Sequence, residues 1–103
     1  MGENDNIPQM TPSFENICRK DENGNEYWSS RDLCGAMGYS AYWKFQRVID
    51  KAIKVAGEKG MNVDEHFNQA VDMVKIGNGS FRKVNIFRLS RMACMITVSY
   101  THL

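Results

Sequence analysis

Residues 75–103 carry five bases, Lys75, Arg82, Lys83, Arg88 and Arg91, and no acid. A second basic block lies upstream, where residues 40–60 hold five bases against two acids. Between them, residues 61–74 carry three acids and no base, and residues 1–39 carry seven acids against three bases. The net charge of +1 by itself predicts no partner, but the block pattern is a charge asymmetry that calls for an explanation. Lysine and arginine in rows can contact a nucleic-acid backbone, whose phosphates are regularly spaced. In the upstream block Lys44, Arg47, Lys51 and Lys54 recur at helical spacing, which at about 100° per residue places them in one arc. Asn78, Ser80, Asn85 and Gln46 can add hydrogen bonds to phosphates or base edges. The competing readings are a solvated helix face for the stripe and, for the hairpin, charges that keep an edge strand from aggregating.

Other chemistry has little to stand on. There is no phosphate loop, no Gly-x-Ser-x-Gly elbow and no His-Glu-x-x-His. Cys18, Cys34 and Cys94 are odd in number and widely spaced, so they read as small buried thiols rather than disulfides or zinc ligands. His66 reads as a surface or packing side chain. No enzyme activity, metal or cofactor is expected. No run of 18 apolar residues suggests a membrane span, and the polar, acidic start lacks the pattern of a signal peptide, so a cytoplasmic protein is expected.

The elements that must position these residues follow from turn and cap signals. Residues 1–12 read as a disordered leader. Phe14 to Lys20 reads as a strand, Asp21 to Gly24 as a turn, and Asn25 to Trp28 as the return strand. Ser29 and Asp32 form a capping signal for a short helix ended by Gly38. A long helix capped by Ser40 runs to about Glu58, with Tyr42, Phe45, Ile49, Ala52, Ile53 and Ala56 on its apolar face. Trp43 is either an exposed stacking residue or packed against the first helix. Asn62 and Glu65 open a third helix reaching about Val71. A second hairpin, Met73–Ile76 with Phe81–Phe87, surrounds Gly77-Asn78-Gly79-Ser80, with Val84 and Ile86 on one face and Lys83, Asn85 and Phe87 on the other. Ser90 caps a last apolar helix. The expected fold is α+β: one small domain of two β-hairpins and about four helices.

Read in order, Phe14-Glu-Asn-Ile17, Gly24-Asn-Glu-Tyr-Trp-Ser-Ser-Arg-Asp-Leu33, Met37-Gly-Tyr-Ser40, Tyr42-Trp-Lys-Phe45, Val48-Ile-Asp-Lys-Ala52, Asp64-Glu-His-Phe67 and Arg88-Leu-Ser-Arg-Met-Ala-Cys94 form one series. That series resembles the BRO N-terminal domain family, more narrowly its damage-inducible protein D group, over roughly residues 13–96. The resemblance implies a DNA-binding module of the kind found in phage antirepressors and in bacterial proteins of the SOS response. Its implied partners are DNA, single- or double-stranded, and a recombinase filament; a second copy of the chain is a further expected partner. It transfers no catalytic residue. Residues 97–103 depart from the family's continuation and read as an atypical tail, a truncation or a scar. The expected contacts, chosen on charge and spacing and not carried over from the family, are Lys44, Arg47, Lys51, Lys54, Lys75, Arg82, Lys83, Arg88 and Arg91. The alternative is a protein-interaction module.

Overall fold

A computed structural model describes residues 12–101. The elements run α1 (Pro12–Asn16), β1 (Arg19–Lys20), β2 (Glu26–Ser29), α2 (Ser30–Ala36), α3 (Tyr42–Glu58), α4 (Val63–His66), β3 (Phe67–Lys75), β4 (Phe81–Leu89) and α5 (Arg91–Ser99). The two hairpins join into one antiparallel sheet of order β1-β2-β4-β3. The fold is α+β, as expected, with the two hairpins in one sheet. The expected leader lies outside the described residues except for Pro12, which opens α1.

The two hairpin turns share one solution. Gly24 (φ +83°) and Gly79 (φ +87°) each take the left-handed conformation that only glycine adopts cheaply. Each glycine N–H donates three residues back, Gly24 to Asp21 O and Gly79 to Ile76 O, both at 3.0 Å. Asn23 and Asn78 keep negative φ, so neither turn is the doubly left-handed type that an Asn-Gly pair suggests.

Sequence periodicity placed α3 well. Phe45, Ile49, Ala52 and Ala56 are buried on one face of this 17-residue helix. Its cap is Ala41 rather than Ser40, and no side-chain hydrogen bond closes it. Ser29 caps α2 through the Arg31 N–H, while Asp32 turns away to pair with Arg19 at 2.9 Å.

Two expectations of element type are corrected as well. Phe14 to Asn16 belong to a helical turn, not a strand, and β1 is only Arg19–Lys20. Phe14 and Ile17 are three residues apart, a helical spacing, and both join the core. Trp28 Nε1 donates to the Phe14 carbonyl at 2.9 Å, which gives the buried indole its partner and ties α1 down. The second correction is larger. The third helix stops at His66 instead of running to Val71, and Phe67 starts a nine-residue strand. Residues 67–75 find a complete ladder against β4, from Phe67 opposite Leu89 to Lys75 opposite Phe81, and that pairing outweighs local helix preference. α5 continues through Ser99, burying Thr97 and Val98.

β2 pairs with β4 only at Trp28–Leu89 and Ser29–Arg88. Beyond that seam the β4 edge meets α2 instead of a strand. The Phe87 N–H donates to Ser30 Oγ at 3.0 Å, and the same oxygen sits 2.7 Å from Tyr42 Oη. Ser30 is fully buried. Replacing it by alanine leaves two polar groups without a partner, at a cost of about 1–3 kcal/mol. Ser30→Ala should therefore lower the urea midpoint markedly, whereas Ser99→Ala on the exposed surface should shift it little; equal midpoints would contradict this reading of the corner.

Candidate nucleic-acid interface

A groove lined by polar and apolar side chains, none of them basic, lies between α3 and the second hairpin. On one side is the flank of α3, represented by Gln46. On the other is the second hairpin, with Gln69, Ala70, Asn85, Ile86 and Phe87; the space between is about 320 Å³. Antiparallel pairing puts opposed residues on the same face of a hairpin. Gln69, Val71, Met73, Lys75, Phe81, Lys83, Asn85 and Phe87 therefore share one face, of which Gln69, Asn85 and Phe87 line the groove together with Ala70 and Ile86 from the other face. Lys75 and Lys83 project from the shared face as exposed cations.

The α3 stripe is exposed as expected, with Lys44, Arg47, Lys51 and Lys54 all opposite the buried arc. Two of its ammonium groups lie over aromatic rings, Lys44 Nζ 5.7 Å from the Trp43 centroid and Lys51 Nζ 5.2 Å from that of Tyr100. Trp43 itself is 60% exposed, which decides between its two readings in favour of a surface position.

The remaining candidates separate from this set. Arg82 and Arg88 lie on the opposite face of the hairpin, together with Asp72. Arg88 stacks over Tyr27 at 4.6 Å and lines a cleft of about 460 Å³ whose walls include Asp21, Glu26, Asp64 and Glu65. Those carboxylates would repel a phosphate. Arg91 is held still more firmly. Its Nε donates to Glu26 at 2.9 Å, its Nη1 to Glu15 at 2.8 Å, and its Nη2 reaches both carboxylates, while the guanidinium lies 4.9 Å from the Trp28 ring centre. The arginine thus links α1, β2 and α5, and its donors already have acceptors.

Sequence reasoning passed over Phe81, Met73 and Val71, which share the groove-side face and are 60%, 51% and 56% exposed. The available signal was Phe81 directly after a Gly-Ser turn and before two bases. Among the described residues no group of three His, Cys, Asp or Glu side chains is placed to hold a metal ion, and no helix is long and apolar enough to cross a membrane. His66 Nδ1 is hydrogen-bonded to Ser90 Oγ at 2.7 Å. The three cysteines are free thiols, with Cys34 and Cys94 buried, and burial pushes the Cys94 thiol well up.

Over 85 residues, 82% of its length, the chain is 40% identical to DNA damage-inducible protein D of Escherichia coli (strain K12). The chain is a relative of that protein. It covers 31% of the length of protein D. No protein-family model matches the chain, and no solved structure matches it, so the likeness to BRO N-terminal domains rests on the ordered segments quoted above.

The Arg91 clamp has a pH signature. Hydrogen bonds from Arg91 are the largest influence on both partners and hold the Glu15 and Glu26 carboxyls below their ordinary value of 4.5. A carboxylate with a depressed folded-state value contributes stability above the unfolded value and loses it as pH falls through the folded one. Arg91→Met should therefore lower the urea midpoint near neutral pH, and the gap to wild type should narrow as the solution is acidified below the carboxyls' ordinary value and through their depressed folded-state values. A gap independent of pH would contradict the clamp.

Proposed function

We propose that this chain is the nucleic-acid-binding domain of a damage-response protein and that it engages DNA along the groove between α3 and the second hairpin. The observation that carries the reading is the acid-free hairpin face bearing the exposed Lys75 and Lys83, which lies across a groove from Gln46 of α3. The likeness to the E. coli damage-inducible protein supports the damage-response setting, and the ordered motifs support the DNA-binding one. Lys75, Lys83, Lys44, Arg47, Lys51 and Lys54 supply phosphate contacts; Gln46, Gln69 and Asn85 supply hydrogen-bonding groups inside the groove. Binding is mainly electrostatic, and the domain acts by binding rather than catalysis, in the cytoplasm where DNA is its partner. A protein-interaction module is the rival reading, favoured by Met92, which stands 51% exposed on α5.

Fluorescence anisotropy with a labelled oligonucleotide, read across a salt series, separates the two. Affinity should fall steeply with salt, and Lys83→Glu and Lys75→Glu should each weaken binding and flatten the log–log slope by about 0.7–0.9 per lost phosphate contact. Arg91→Met should leave that slope unchanged, because its guanidinium is already occupied by Glu15 and Glu26. Absence of binding at low salt contradicts the proposal.

A further inference from the structure

The groove-side face of the hairpin carries more than charge. Cross-strand pairing sets Phe81 opposite Lys75, Met73 opposite Lys83 and Val71 opposite Asn85. Scattered exposed apolar side chains are ordinary, but three on one face of a single hairpin, each opposed by a cation or an amide, form a pattern. The chequering decides what fits. An apolar protein surface would have to bury the ammonium groups of Lys75 and Lys83 without partners, which is unfavourable. A single nucleic-acid strand meets both demands, since its phosphates approach the lysines while its base faces lie on the ring and the thioether. A duplex offers the phosphates but keeps its base faces stacked inside. The hairpin face itself carries no acid, and the acid beside the groove on α3, Asp50, accepts a hydrogen bond from Gln46 at 3.0 Å. Residues 75–103 contain no acid, and Asp72 lies on the other face, paired with Arg19 at 3.3 Å.

We propose that this face is a stacking platform for unpaired bases, with Phe81 as the ring on which a base lies and Lys75 and Lys83 as the flanking phosphate contacts. The proposal rests on the nucleic-acid reading above and narrows it to single strands. Every base has a π-face, so sequence preference is weak. The turn closed by Gly79 places Phe81 at the tip, four residues and roughly 13 Å of strand beyond Asn85. A strand that starts in the groove therefore runs along the hairpin to reach it.

The test uses the chain with labelled oligothymidine and a mixed-sequence duplex, each of roughly 15 nucleotides or base pairs, at low salt. Wild type should prefer the single strand. Phe81→Ala should weaken single-strand binding about tenfold and leave duplex binding nearly unchanged, and Phe81→Trp should restore it. Phe81 is exposed, so thermal melts of these variants should match wild type. If Phe81→Ala binds the single strand as wild type does while Lys83→Glu weakens it, the stacking platform is overturned and the electrostatic groove stands. A wild-type preference for the duplex also overturns the platform. If neither oligonucleotide binds, the nucleic-acid reading fails and the platform with it.

Discussion

The second hairpin joins the rest of the sheet through one two-residue seam at its base, Trp28 opposite Leu89 and Ser29 opposite Arg88, with Arg19–Asp72 as a side-chain tie farther out. That two-residue seam sets the shape of everything outward of it. Because β2 ends at Ser29, β4 runs on without a strand partner on that side, and its first free N–H is taken by Ser30 at the start of α2. The base of the hairpin contributes Phe67 and Leu89 to the core, Val84 and Ile86 are buried on one face of its outer part, and the other face stays exposed at Val71, Met73 and Phe81. A longer β2 would have covered the β4 edge and its neighbourhood. The short one leaves a groove against α3 and a tip free to carry Lys75, Phe81 and Lys83.

Charge is distributed around that hairpin in a way the linear sequence conceals. On the far side, Arg88 shares a cleft with four carboxylates, and Arg19 bridges Asp32 and Asp72. At the body, Arg91 is enclosed by Glu15 and Glu26. These arginines stabilise local structure and leave the groove side to lysines without acidic neighbours in their stretch. The planar fork of arginine suits bidentate carboxylate pairs, whereas lysine is a compact hydrated charge suited to a mobile phosphate contact. The division between Arg91 at the junction and Lys75 and Lys83 on the hairpin follows that chemistry.

Much of this arrangement was legible in advance. The apolar period of α3, the caps at Ser29, Asn62 and Ser90, and the glycine turns all announce themselves through local physics, and the structure uses each. What the sequence hid depends on partners distant along the chain. Residues 67–71 look helical beside Asn62 and Glu65, and only β4 makes them a strand. Arg91 looks like one more free base in an acid-free run until Glu15 and Glu26, 76 and 65 residues away, close on it. The sidedness of the basic residues likewise needed the register, which places Lys83 toward the groove and its neighbour Arg82 away from it.

The central claim is that nucleic acid lies between α3 and the groove side of the hairpin. Titrating a short single-stranded oligonucleotide into isotope-labelled protein and following the backbone amides tests it most directly. The account predicts that shift changes concentrate at Gln69 to Lys75, Phe81 to Phe87 and the exposed arc of α3, and leave Asp21, Glu26 and Asp64 around the opposite cleft unmoved. Changes centred on that cleft, or on α5 around Met92, would contradict it.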